Sequence, residues 1–232
     1  MFVNKGTVVL EPVPSRRRPG DPTTLEGLAG RVRPTAASRT RLLPVADALA
    51  PLLPDGALRR GSVACCSGRG ALSLALALVA AASAAGSWCG LVGLDDVGAL
   101  AAAGYGLHLR RLAVVRAPAA QWAAATAGLL DGMDLVVVHP PGRPRPSVVR
   151  PLVARARDRQ AVLVVLGDRP RWPEPVDVGL RVTASRWWGL DQGAGYLQGR
   201  RVTVEADGRG SAARPVRCEL WLPSAAGRVL GV

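Results

Sequence analysis

Lysine is almost missing from this chain. Lys5 is the only one, although the net charge is +13. The basic groups are therefore arginines, and they accompany abundant Ala, Gly, Pro and Val. That composition also suits a GC-rich coding sequence, which accounts for part of the arginine excess. No Cys-x-x-Cys pair occurs among the four cysteines, Cys65, Cys66, Cys89 and Cys218, so the usual zinc spacings are excluded. Cys65 and Cys66 are adjacent in an apolar run, which predicts reduced, buried thiols in a cytosolic protein. A signal peptide is not expected either: Met1–Leu10 is short, and a Pro- and Arg-rich segment follows it. Charge is absent from residues 70–94, a stretch long enough to cross a bilayer. Ala and Ser dominate it, however, and Ala85-Gly86-Ser87-Trp88 breaks it. A buried helix followed by a buried strand fits better, with no membrane as a partner.

What is present points to a folded core with basic ends. The chain has 232 residues, 49% of them hydrophobic. That is enough for one large domain and excludes wholesale disorder. Residues 1–60 hold ten Lys/Arg against five Asp/Glu, residues 61–140 four against four, and residues 141–232 sixteen against eight. The middle is neutral, and the ends attract nucleic acid, acidic proteins or anionic lipid. The expected organisation is a basic amino-terminal arm over 1–42, a core over 43–223 and a tail over 224–232. Within the arm, Arg16-Arg17-Arg18-Pro19-Gly20 reads as a flexible cluster, and Thr23-Thr24-Leu25-Glu26 can cap a short helix through Val32. Leu43–Leu58 reads as a short helix leading into the core.

From Gly61 onward, strands and helices alternate. Ser62–Cys66, Cys89–Gly93, Leu112–Val115, Leu135–Val138 and Ala161–Leu166 read as short buried strands. Ala71–Ala85, Asp95–Gly104, Pro118–Leu130 and Pro151–Gln160 read as helices. Two of these open on Pro, and one carries acids in its first turn. Wholly apolar strands separated by helices predict an α/β fold with a mostly parallel sheet covered on both faces. After Asp168 the pattern alternates apolar and polar. Val178–Thr183, Tyr196–Ala206 and Val216–Leu222 predict a carboxy-terminal antiparallel addition that includes a hairpin turning at Gly208-Arg209-Gly210.

One strand–turn–helix junction has the shape of a phosphate loop without its chemistry. A working loop reads G-x-x-x-x-G-K-[ST]: glycines admit backbone N–H groups, the lysine offsets phosphate charge and the hydroxyl holds Mg²⁺. Here the segment is Cys65-Cys66-Ser67-Gly68-Arg69-Gly70-Ala71-Leu72. Gly70 keeps the second glycine, while Cys65, Ala71 and Leu72 replace the first glycine, the lysine and the Ser/Thr. A helix amino terminus assisted by Arg69 can still attract an anion weakly, but hydrolysis is not expected and no cofactor is required. The strand Leu135–Val138 ends on His139, where an acidic residue facing the metal would stand. No second metal ligand is apparent, so His139 reads as a solvent-facing loop residue. Asp95 and Asp96 occupy a place for a catalytic acid but read better as helix caps.

The ordered series of these pieces resembles the RecA core over about residues 61–222. Arg60-Gly61-Ser62-Val63 resembles the strand entering that family's phosphate loop. Cys89-Gly90-Leu91-Val92-Gly93-Leu94-Asp95-Asp96 resembles the strand bearing its catalytic glutamate, and Gly106–Leu112 its following turn. Arg201–Glu205 with Arg214–Leu222 resembles its terminal hairpin. The resemblance implies a RecA-like core. RecA's single-strand-binding loops would fall at Pro140–Ser147 and Arg169–Pro175, both too short for that mode. Arg143, Arg145, Arg169 and Arg171 still keep them basic enough for single-stranded DNA contact.

Further segments resemble the actinobacterial ImuA-type mutasome accessory proteins: Gly86–Cys89, Asp134–Val138 with Pro140–Arg143, Ala161–Asp168, and Val182–Trp187. That resemblance implies a non-catalytic assembly role in damage-induced mutagenesis. Its implied partners are an inactive Y-family-polymerase-like protein and, directly or through it, an error-prone polymerase. Arg186, Trp187 and Trp188 are the candidate partner contacts, with one Trp expected in the core and one exposed. A DNA-binding modulator of RecA filaments and an ATPase with an unorthodox loop are the competing expectations.

Overall fold

The computed structural model describes residues 41–94, 97–167, 171–191, 194–209 and 214–232. The predicted arm therefore lies almost wholly outside the described residues, as do Asp95, Asp96, Arg169 and part of the turn at 208–210. Eleven strands are described: β1 (Leu42–Leu43), β2 (Leu58–Arg59), β3 (Val63–Gly68), β4 (Cys89–Val92), β5 (Leu112–Val115), β6 (Leu135–Val138), β7 (Val162–Leu166), β8 (Val178–Asp191), β9 (Ala194–Gly208), β10 (Val216–Trp221) and β11 (Leu230–Gly231). Four helices accompany them: α1 (Ala71–Ala84), α2 (Ala99–Tyr105), α3 (Trp122–Gly132) and α4 (Pro146–Asp158). β1 and β2 pair with each other. The other nine form one sheet in the order β11-β10-β9-β8-β3-β7-β6-β4-β5. From β8 to β5 neighbours run parallel, and from β8 to β11 antiparallel. The expected α/β class with a carboxy-terminal hairpin is what the chain adopts.

The buried strands explain the absence of local alternation in the sequence. Ala64, Cys66, Leu135, Val137, Val162 and Val164 face the layer of α1, while Val63, Cys65, Val136, Val138, Leu163 and Val165 face that of α3 and α4. Both faces are dry, so every position is apolar. α1 is built from Ala and Leu, strong helix formers, and nine of its residues are buried. It stops where Gly86 takes φ +107°. There Ser87 N–H reaches the Ala82 carbonyl at 2.9 Å and Gly86 N–H the Ser83 carbonyl at 3.0 Å, a glycine-dependent helix stop. Among the described residues no helix is long and apolar enough to cross a membrane.

Four expectations change. Leu43–Leu58 holds only a 3-10 turn at Ala50–Leu52 between β1 and β2, because Pro44, Pro51 and Pro54 each remove a helical donor. The helix expected from Asp95 begins at Ala99, after Gly98 in extended conformation, with no acid in its first turn. Pro118 opens a turn, closed by Gln121 N–H on its carbonyl at 2.7 Å, and α3 starts only at Trp122. α4 begins at Pro146 and carries Pro151 inside it. Burial of Val149, Leu152, Val153 and Ala156 on one stripe outweighs one missing helical bond there.

The cysteines also depart in part. All four are free thiols, but Cys218 is only half-buried. Burial pushes the Cys89 thiol up to about 12, with Asp134 adding to the effect. Burial, then Cys65, pushes Cys66 upward as well. The folded state thus keeps protons that the unfolded chain releases near 9.0. Stability is expected to be fully present below pH 9 and to fall between pH 9 and about 12. Chemical denaturation across that range checks it, and Cys89→Ala should flatten part of the fall. A thiol reagent at neutral pH should label Cys218 alone until the chain unfolds.

Candidate functional site

The carboxyl ends of the parallel strands open into a cleft of about 670 Å³. Open α/β sheets bind ligands in this place, because the loops leaving the strands diverge there. Ser67, Gly68, Arg69, Gly70, Ala71 and Leu72 line it from the β3–α1 junction, Gly93, Leu94 and Val97 from beyond β4, His139 from the end of β6, and Leu166, Gly167 and Arg171 from the end of β7. The loop, His139 and Arg171 stand in separate segments of the sequence, and the sheet brings them together. Arg143 and Arg145 do not line the cleft. Both are exposed on the β6–α4 connection, where Arg145 stands just before α4.

The junction keeps the backbone shape of a phosphate loop. Gly68 ends β3 at φ +86° and Gly70 precedes α1 at φ +103°. No side chain caps α1 and no acid occupies its first turn. Ala71 and Leu72 stand at the helix start, where neither side chain can offset phosphate charge or ligate a metal. Among the described residues no group of three or more His, Cys, Asp or Glu could hold a metal ion, so His139 has no ligand partners there.

One residue that sequence reasoning missed stands behind this loop. Arg200 of β9 is 7% exposed. A Cβ on Gly70 would overlap its guanidinium, with Cζ 2.6 Å away. Its Nε and Nη2 are buried without hydrogen-bond partners. Burial lowers its affinity for a proton, and the neighbouring Tyr105 acts in the opposite direction. A signal for it did exist. Val202, Val204 and Ala206 are buried on one face of β9, and period-two alternation carries that face back to position 200.

A second feature stands beside the cleft. β8 leaves β3 after Val182. β9 pairs with β10 only from Arg201 onward, and Arg200 just before it still exchanges backbone hydrogen bonds with Leu222 and Pro223. Among the described residues the outer parts of β8 and β9 pair with each other, as a two-stranded arm. The Trp pair lies on it. Trp187 is 47% exposed and Trp188 45%, so neither is in the core. The arm has outrun the sheet. Leu190, Tyr196 and Leu197 are exposed on the same arm. Arg186 sits 5.0 Å over the Trp188 ring and Arg200 5.4 Å over the Trp187 ring. Trp221 meets Trp188 at a centroid distance of 6.3 Å. These cation–π and tilted ring contacts fix both indoles in place.

Comparisons place this geometry among known proteins. The family model for the MT3502 N-terminal domain matches residues 51–174, the span from the 3-10 turn to just past the cleft. The uncharacterized protein Rv3395c of Mycobacterium tuberculosis is 37% identical over 166 residues, covering 68% of this chain and 80% of that protein. The crystal structure of the RadB recombinase superposes with a TM-score of 0.57 at 14% identity, over 80% of this chain and 96% of that one. The last likeness concerns the fold, which is RecA-like.

Proposed function

Since the chain belongs to the MT3502 N-terminal domain family and has a RecA-like fold, we propose that it is a non-catalytic accessory protein of the ImuA type. In this reading it serves damage-induced mutagenesis as a scaffold, bound to an inactive Y-family-polymerase-like partner and, through that partner, to an error-prone polymerase. The observation that carries the reading is the β8–β9 arm. Two-stranded ribbons are marginal in water without a cover, yet this one presents five large apolar side chains to solvent. Clustered Trp and Arg are the side chains that dominate protein interfaces. The absence of a loop lysine and of a Ser/Thr metal ligand supports an assembly role over ATP turnover.

The test is a pull-down with size-exclusion analysis against that partner, with and without ATP. A stable complex indifferent to ATP is expected. Trp187→Ala and Trp188→Ala should each weaken it by about 30-fold, roughly 2 kcal/mol, with little change in thermal stability. Unchanged affinity in both variants, or no complex with the wild-type chain, would overturn the reading. A second reading, a basic modulator that binds single-stranded DNA, draws on Arg143, Arg145 and Arg171, which lie on neighbouring loops at one end of the sheet. It requires salt-sensitive binding lost when these three and Arg169 are neutralised.

A further inference from the structure

A second hollow, of about 470 Å³, lies at the amino ends of β3 and β8, the opposite end of the sheet from the cleft. It gathers segments that are remote in sequence. Pro54 and Ala57 come from the stretch before β2, Asp177 from the entry to β8, Arg157 from the last turn of α4 and Arg209 from just beyond β9. Its walls are held in place. Gly61 takes φ +77°, and a Cβ there would stand 3.4 Å from the Arg157 Cα, so the β2–β3 turn packs closely onto the end of α4. Asp177 accepts the Val63 N–H at 2.8 Å, which fixes the floor between β3 and β8. Four arginines and two aspartates line the hollow. Arg59 is paired with Asp55 at 2.9 Å, and Arg60 with Asp134 at 2.8 Å. Arg157 and Arg209 have no carboxylate at ion-pair distance among the described residues. Arg209 also borders a smaller hollow that holds Glu174, but Arg150 pairs with that carboxylate at 2.8 Å. The carbonyl end of α4 favours a cation at Arg157. Arg209 follows a strand and has no such reason. Pro54, Ala57 and Val178 make the intervening surface apolar.

We infer that this hollow is a docking site for an acidic segment of a partner protein, in which carboxylates meet Arg157 and Arg209 and an adjoining aliphatic side chain rests on Pro54 and Ala57. Charge complementarity selects the occupant. Two unpaired guanidinium groups beside apolar surface suit carboxylate and aliphatic side chains in alternation, and each guanidinium can take a carboxylate through two parallel donors. A nucleic-acid strand suits it poorly. Asp55 and Asp177 would repel its phosphates, and no aromatic ring lines the hollow on which a base could stack. The volume lies within the range of roughly 300–1,000 Å³ that bound ligands fill. β8 runs from this hollow at Val178 to the arm that carries Trp187 and Trp188. The two surfaces therefore stand at opposite ends of one strand, and either can fail while the other stands.

Fluorescence anisotropy with the full chain and a labelled Glu-Leu-Glu-Leu-Glu-Leu peptide tests this. Saturable binding is expected, and a Glu-Ser repeat of the same length should bind more weakly because it lacks the aliphatic contact. Arg157→Gln combined with Arg209→Gln should weaken binding at least about tenfold. Both residues are exposed, so the variant should melt like the wild type. Arg143→Gln combined with Arg145→Gln removes the same charge beyond the other end of the sheet and should leave affinity unchanged, which separates the site from a general attraction to a basic chain. Trp187→Ala and Trp188→Ala should also leave it unchanged. Arg157→Glu combined with Arg209→Glu should turn the preference toward a Lys-Leu repeat. A wild-type chain that does not bind the Glu-Leu peptide, equal losses from the two arginine pairs, or equal affinity for the Glu-Ser repeat would overturn the inference. So would an oligothymidylate that displaces the peptide and depends on the same two arginines, since the occupant would then be nucleic acid.

Discussion

Gly68→Ala is expected to cost roughly 3–5 kcal/mol or to prevent folding. Two penalties combine at this position. Its φ of +86° lies in the left-handed region, which strains any side chain. A Cβ there would also run into the backbone of Val182, overlapping its carbonyl oxygen with the carbonyl carbon at 3.1 Å and the nitrogen at 3.2 Å. Val182 is the register partner of Gly68 on β8. Relief would therefore require β3 and β8 to separate where the parallel sheet meets the antiparallel addition. Gly142→Ala is the control. It has φ +62° and nothing within 4 Å of the place a Cβ would take, so it should lose only about 1 kcal/mol of strain. Chemical denaturation of both variants checks the difference. Equal losses would mean that the close approach of β8 contributes nothing.

Asp134→Ala is expected to destabilise by about 3–5 kcal/mol. Asp134 and Arg60 form an ion pair at 2.8 Å whose side chains are 11% and 7% exposed. The other carboxylate oxygen accepts the Trp88 backbone N–H at 2.9 Å. One side chain thus ties the entries of β3, β4 and β6 together. Removing it takes the carboxylate away from a buried guanidinium, which keeps its bond to the Gln160 carbonyl, and unpairs a backbone donor. Adding Arg60→Met to Asp134→Ala should recover part of the loss, because the buried charge that has lost its counter-ion disappears while the Trp88 donor remains unpaired. Asp131→Ala should cost under about 1 kcal/mol, since its pairs with Arg155 and Arg159 are solvent-exposed. Denaturation midpoints for the three variants would decide this. A loss no larger than that of Asp131→Ala would show that the Arg60–Asp134 pair is solvated in solution.

In this chain the β3–α1 loop is braced by the Val182 backbone against Gly68 and by Arg200 behind Gly70. The cleft remains open and positively charged at its rim, and the neighbouring arm presents Trp187 and Trp188 to solvent. The loop and the arm meet at Arg200, which touches Gly70 on one side and the Trp187 ring on the other.

The sequence by itself determined the parallel core, the position of the loop and the chemistry that the loop lacks. Strands such as Leu135–Val138 and Val162–Leu166 are apolar at every position because both faces are covered, and that signature is local. The replacements at Ala71 and Leu72 are likewise legible residue by residue. Helix starts were less so: Pro146 and Pro151 are both acceptable first residues, and only burial of Val149 and Val153 selects the earlier one. The tertiary structure alone decided the rest. Nothing local says that β8 and β9 outrun the sheet, which leaves both indoles half-exposed. Among many arginines, Arg200 becomes a site residue only because the fold lays β9 against the start of α1. Burial on a sheet is a short-range property of the chain, whereas convergence of β9, α1 and the cleft depends on contacts more than a hundred residues apart.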